Sequence, residues 1–99
     1  MPTDTLTKDQ TQAQTKTPPL HKVLLLNDDY TPMDFVMMVL LHFFQKSEAE
    51  AYRVMLTAHE RGVCTAGVYP FEVAETKVAQ VMKTAQKAGY PLRCILEPE

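Results

Sequence analysis

The chain has 99 residues and a formal charge of -2, with a pI near 5.9. That is room for one small domain, and it leaves no basic footprint for nucleic acid. No apolar run approaches the length of a membrane span, and the first residues lack the charged-then-apolar pattern of a signal peptide. Cys64 and Cys94 show no Cys-x-x-Cys spacing. They read as reduced thiols of a soluble cytoplasmic protein, able to approach each other only on neighbouring strands and better explained as free and buried.

Residues 1 to about 20 differ from the rest of the chain. Thr3, Thr5, Thr7, Thr11, Thr15 and Thr17 alternate with Gln, Asp and Lys, and Leu6 is the sole large aliphatic between Met1 and Leu20. Such a segment buries too little apolar surface to offset its ordering entropy. The expectation is a flexible N-terminal extension ending at Pro18-Pro19, then a folded domain over 21–97. The extension is either a passive leader or a tether engaged by a partner.

Within the domain, His21 to Asn27 reads as a buried strand. Thr31-Pro32-Met33-Asp34 opens a helix, with Thr31 as its N-cap, Pro32 first in the helix and Asp34 in its first turn; the helix extends to Gln45. Ser47-Glu48-Ala49-Glu50 is a capping box for a second helix ending near Arg61, with Gly62 as its C-terminal glycine. Val63 to Tyr69 is a second strand, broken by Pro70. A third helix spans Phe71 to Ala88 and closes at Gly89, with Ala74, Val78, Val81 and Ala85 as its core stripe. Leu92 to Glu97 is the last strand. The order βααβαβ implies an α+β domain whose three helices stack on one face of a three-stranded sheet.

Two features suggest binding. The first helix is apolar nearly all round, and a domain this small cannot cover every face of it, so part should line a groove. Met33, Met37 and Met38 cluster in its first half, and methionine adapts to irregular apolar ligands. Just upstream, Asn27, Asp28 and Asp29 concentrate acceptors at a strand-to-helix corner. A plain polar turn would use the same residues for backbone reasons. In the second helix, Met55, Ala58 and His59 fall on one face. Together these suit a ligand that is cationic at one end and apolar at the other.

The segments Leu26-Asn27-Asp28-Asp29-Tyr30-Thr31-Pro32-Met33, Met55-Leu56-Thr57-Ala58-His59 and Glu72-Val73-Ala74-Glu75-Thr76-Lys77 resemble the bacterial ClpS adaptor family, in order and spacing across 21–97. The resemblance implies an adaptor, not an enzyme, with no cofactor or metal. Such adaptors recognise N-terminal destabilising residues (Leu, Phe, Tyr, Trp) and deliver those proteins to the ClpA unfoldase of the ClpAP protease. It implies that Asn27, Asp29 and His59 hold the α-amino group, while Asp28 shapes the turn. It also implies a hydrophobic pocket of Thr31, Met33, Val36, Met55, Ala58 and Leu92. Glu72, Glu75, Thr76 and Lys77 would dock the N-terminal domain of ClpA, and the adaptor is expected to be monomeric, without nucleic-acid or membrane contacts. The family commonly carries Val at the position of Ala58. Alanine would enlarge the pocket or leave space for Met37 or Met38 to refill, which bears on side-chain preference and not on the amine site.

Other readings explain less. His21, His42, His59, Cys64 and Cys94 have no regular zinc-ligand spacing. Cys64 with His59 lacks an orienting third group and an oxyanion signature. A purely structural docking module, like the C-terminal domain of the ribosomal stalk protein, would need an exposed basic helix. The third helix instead mixes Glu72 and Glu75 with Lys77, Lys83 and Lys87.

Overall fold

The computed structural model describes residues 18–99; the expected flexible extension lies, but for its last three residues, outside the described residues. The elements are β1 (Leu20–Leu26), α1 (Met33–Phe43), α2 (Glu48–Arg61), β2 (Val63–Pro70), α3 (Phe71–Ala88) and β3 (Arg93–Pro98), in the expected βααβαβ order. β1 is central in an antiparallel sheet of order β2-β1-β3. The domain starts and ends one residue further out than the expected 21–97: Leu20 pairs with Pro70, and its carbonyl accepts the Glu99 N–H at 3.0 Å. Among the described residues no helix is long and apolar enough to cross a membrane.

Side-chain alternation along β1 buries Val23 and Leu25 toward the helices. Against them pack Val39, Leu40 and Phe44 from α1 and its end, Ala51 and Met55 from α2, and Ala74, Val81 and Ala85 from α3. Val78, expected in the α3 stripe, is only half-buried. The alanines bring α3 close to the sheet. β2 carries a bulge: Val23 pairs with Gly67 but Leu24 with Thr65, leaving the fully buried Ala66 as the extra residue. The Tyr69 ring lies over Gly67; a Cβ there would come within 2.6 Å of Tyr69 Cε2, so the ring would have to shift.

The helix ends show where local chemistry and the expectations part. At α2 the capping box forms as expected: Ser47 Oγ accepts the Glu50 N–H at 3.2 Å, and Glu50 Oε1 accepts the Ser47 N–H at 3.1 Å. At α1 the N-cap is Pro32 and not Thr31, with the Phe35 and Val36 amides donating to the Pro32 carbonyl at 3.1 and 3.2 Å. The Thr31 side chain turns instead toward Asp28, its hydroxyl donating to that carboxylate. The helix stops at Phe43, short of the expected Gln45, where Gln45 takes a left-handed φ of 50°. Gln45 Nε2 donates to the His42 carbonyl at 3.0 Å, and the Lys46 N–H reaches back to Leu40 at 3.2 Å.

Cys64 and Cys94 both pair with Leu25, from opposite sides of β1. They are therefore two strand spacings apart, about 9–10 Å, beyond the reach of a disulfide. Both are free. Cys94 is buried as expected, and burial pushes its thiol up to about 12. Cys64 is only half-buried.

Candidate functional site

β1 ends at Leu26 and hands the chain directly to the acceptor corner. One backbone bond fixes that corner in space: the Asn27 N–H donates to the Gly62 carbonyl at 3.0 Å. Gly62 is the C-cap of α2, at φ 88°, and its own N–H donates to the Ala58 carbonyl at 2.7 Å. A side chain larger than hydrogen is strained at that φ, so the glycine lets α2 stop and present a carbonyl to Asn27. The last turn of α2, which carries Ala58 and His59, is thereby tied to the start of the corner.

Asp28 makes the corner rigid. Oδ1 accepts the Tyr30 amide at 2.8 Å and the Thr31 amide at 2.7 Å, and Oδ2 accepts the Thr31 hydroxyl at 2.7 Å. Partial burial pushes the Asp28 carboxyl up. The Thr31 hydroxyl, then the two amides, outweigh it and hold the group below its ordinary value. With both oxygens of Asp28 committed to the turn, Asp29 and Asn27 stand on either side of it, exposed.

These residues meet at one cavity of about 270 Å³. Its rim carries Asn27, Asp29 and His59, all solvent-facing. Its apolar walls are Val36 from α1, Met55 and Ala58 from α2, and Leu92 just before β3, with Thr31 and Met33 at the corner. The inner surface is buried: Met55 is 5% exposed, and Ala58 and Leu92 are each 3% exposed. Met33 is 57% exposed, which sets it at the mouth. All nine residues expected for the amine site and the pocket thus line the same cavity. Asp28 also borders it, as do Leu25 and Leu26, which the sequence does not mark as pocket residues. Their one signal is the position of Leu26 directly before Asn27. Met37 and Met38 are not among the lining residues and pack against the core. The space left by Ala58 is not refilled by them.

Chemically, the arrangement offers an amide oxygen, a carboxylate and an imidazole nitrogen on one side of a greasy hole. An ammonium group has three N–H donors and is poorly tolerated without acceptors when water is excluded. Side chains that suit the hole are apolar ones.

The residues expected to dock a partner lie elsewhere, on α3. Glu72, Glu75 and Thr76 are exposed, and the Thr76 hydroxyl donates to the Glu72 carbonyl at 3.0 Å. Lys77 is less free than its three neighbours. It is half-buried, its Nζ lies 3.5 Å from Gln45 Oε1, and it sits 5.7 Å from the centroid of the Tyr69 ring. Phe71 and Val73, exposed by 45% and 43%, flank Glu72 and extend that face with apolar surface that the charged motif hides in the sequence.

A family model described as ATP-dependent Clp protease adaptor protein ClpS matches residues 16–95. Among curated proteins, the ATP-dependent Clp protease adapter protein ClpS of Deinococcus radiodurans is 58% identical over 88 residues, covering 89% of this chain and 78% of that protein. Its counterpart in Maricaulis maris is 57% identical over 90 residues, covering 91% and 83%. Among solved structures, ClpS2 of Agrobacterium tumefaciens bound to L-phenylalaninamide superposes with a TM-score of 0.81 at 46% identity, covering 84% of this chain and all of that one (100%). These relatives are named as adaptors of a protease and not as enzymes. With its βααβαβ fold, its corner and its cavity, this chain belongs to the ClpS family of ATP-dependent Clp protease adaptor proteins.

Proposed function

We propose that the cavity holds the first residue of a substrate protein and that the adaptor carries that protein, in the cytoplasm, to the ClpA unfoldase of ClpAP. The observation that carries the reading is the convergence of Asn27, Asp29 and His59 on the rim of an apolar cavity. The α-amino group is ordinarily cationic at neutral pH, with a pKa of about 7.7–8.0. Asn27 Oδ1, the Asp29 carboxylate and a neutral His59 ring nitrogen answer its three N–H donors. The first side chain, Leu, Phe, Tyr or Trp, fills the space among Thr31, Met33, Val36, Met55, Ala58 and Leu92. The ligand of the Agrobacterium relative has this chemistry: a free α-amino group, a phenyl ring, and an amide where a peptide would continue.

Magnitudes show why both halves are needed. Burying a Leu or Phe side chain contributes about 1.5–3 kcal/mol, whereas micromolar affinity requires roughly 8 kcal/mol. The charge-assisted contacts to the amine must supply much of the difference. A protein with an internal Leu or Phe, lacking a free amine, is then ignored. Delivery rests on Glu72, Glu75, Thr76 and Lys77 of α3, read as the face that meets the N-terminal domain of ClpA, with the adaptor core at 21–97 acting as a monomer. The deciding measurement is calorimetric titration with a Phe-initiated peptide and its N-acetylated twin. The free peptide should bind and the twin should not; equal binding would remove the amine from the reading.

A further inference from the structure

We propose that the outer edge of β3 and the groove beside it bind an acidic, apolar peptide segment as an added fourth strand, at a site separate from the rim of Asn27, Asp29 and His59. β3 is an edge strand: among the described residues the sheet order is β2-β1-β3, so one side of β3 has no strand neighbour. Cys94 shows which groups face that side. Its N–H bonds to Met82 Sδ at 3.4 Å and not to β1, although Cys94 is opposite Leu25. That makes Leu25 and Cys94 a non-hydrogen-bonded pair, whose backbone groups point outward. By the two-residue alternation of the strand, the N–H and carbonyl of Leu96 point outward too. A thioether is a weak acceptor. Met82 therefore covers the edge without satisfying it as a strand would, and an incoming carbonyl would displace it favourably. Recognition of extended peptides by such edges draws affinity from the main chain and specificity from flanking side chains.

The flanking side chains name the ligand. A groove of about 510 Å³ runs beside this edge, lined by Met82, Tyr90, Pro91 and Leu92, with Lys83 and Arg93 as its charged members and no carboxylate among its lining residues. Lys87 follows Lys83 by one helical turn on the same face of α3. The chain as a whole carries a formal charge of -2, so this cationic margin runs against its average. Met82, 37% exposed, offers adaptable apolar contact. A peptide alternating carboxylates with large apolar side chains would turn its apolar groups toward Met82 and Tyr90, beside Lys83, and its anions to the opposite sheet face, where Arg93 opens β3 and Glu97 stands near its end. Leu92, 3% exposed, lines both this groove and the 270 Å³ cavity and stands as the wall between them.

The probe is Glu-Phe-Glu-Val-Glu-amide with fluorescein joined to its N-terminal amine through an amide, a block that keeps it from the amine rim, titrated into the full chain by anisotropy. Saturable binding is expected, weakened at least tenfold in Lys83→Glu/Arg93→Glu, for the Lys-for-Glu twin peptide, and for a twin N-methylated at alternate residues. In the same titration followed by amide NMR, Cys94 and Leu96 should shift. The double variant should keep its circular dichroism and its affinity for L-phenylalaninamide. Absence of binding at millimolar probe, or equal binding by the double variant, would overturn the proposal. Equal binding of the N-methylated twin would overturn strand addition.

Discussion

α1 and α3 solve opposite problems. α1 spans Met33–Phe43 and is apolar along most of its surface, yet only Val39 and Leu40 are buried within it. α3 spans Phe71–Ala88, is far more polar, and anchors itself by three small residues, Ala74, Val81 and Ala85. A helix that must only hold the sheet needs a narrow apolar stripe, and α3 has one. Most of the rest of α1, Phe35, Met37, Met38, Leu41 and Phe43, packs half-buried against the same core. Met33 and Val36 alone reach the wall of the cavity, so under the proposed function α1 gives apolar surface to a ligand while α3 keeps a polar face exposed. Substitutions in α1 and its upstream corner should therefore split cleanly into effects on binding and effects on stability.

The sharpest break in that division comes from two large effects that should not mix. Asp29→Ala removes the carboxylate proposed to face the ammonium and should weaken a Phe-initiated peptide by about 2–5 kcal/mol. Asp29 is exposed, so the urea midpoint should hardly move. Leu40→Ala does the reverse. Leu40 is 0% exposed, and truncation of a fully buried leucine costs about 2–5 kcal/mol of stability. Under conditions where the variant is folded, peptide affinity should stay near that of the parent. Calorimetry and urea melts on both variants decide; a destabilised Asp29→Ala or a binding-dead but folded Leu40→Ala would erase the distinction.

Met33 tests the apolar surface at the cavity directly. At 57% exposed it contributes little to the core and stands at the cavity mouth. Ile and Val branch at Cβ, next to a clamped amine, and cannot rotate the branch away. Overlap with the thioether at that point should cost about 1–3 kcal/mol. Met33→Ala should thus admit Ile- and Val-initiated peptides while weakening Leu and Phe only mildly, with melting unchanged. If Ile and Val remain excluded to the same degree, the gate lies in another wall residue, with Ala58 the first to examine.

Much of this is legible in the sequence because each signal is local and redundant. Ser47 with Glu50, and Gly62 after Arg61, mark both ends of α2 by hydrogen-bond chemistry that no tertiary contact overrides. The α3 span is legible because Pro70 and Gly89 bracket it. Thr31 misleads for a physical reason: a threonine before proline satisfies the N-cap pattern, but Asp28 three residues earlier competes for its hydroxyl and wins. The contacts of Lys77 are not legible in the sequence because its partners, Gln45 and Tyr69, come from distant parts of the chain. The residues expected around one ligand are gathered by family resemblance. Leu25 and Leu26 escape because a strand end looks the same whether or not a cavity opens beside it.

The corner's own support gives a smaller effect. Hydrogen bonds from Thr31 and the two turn amides hold the Asp28 carboxyl below its ordinary value despite the opposing pull of burial. A carboxyl lowered on folding contributes stability that is present above its unfolded value and lost as pH falls through the folded one. The loss therefore belongs below about pH 4, the ordinary carboxylate range. Asp28→Ala should cost about 1 kcal/mol at pH 7, the usual net worth of a hydrogen bond. Its stability should be less sensitive to acid than the parent's between about pH 4 and 2. A parallel decline in both proteins would assign the acid sensitivity to other carboxylates.

On α3 the smallest effect separates a structural lysine from a docking one. Lys77 is held by Gln45 Oε1 at 3.5 Å and by the face of Tyr69, which ties α3 to the left-handed turn that ends α1. Partly exposed contacts of this kind are worth about 0.5–1 kcal/mol. Lys77→Ala should lower stability by that amount, and Glu72→Ala, on the exposed first turn, should leave it unchanged. If both residues meet the unfoldase, both variants lose affinity for its N-terminal domain. If Lys77 only pins Gln45 and Tyr69, Lys77→Met restores neither the cation nor the hydrogen bond yet keeps the chain's packing, and partner affinity should then match the parent's. Loss of partner binding in Glu72→Ala alone, with Lys77→Met intact, would confine the docking contact to the end of α3 where Phe71 and Val73 are exposed.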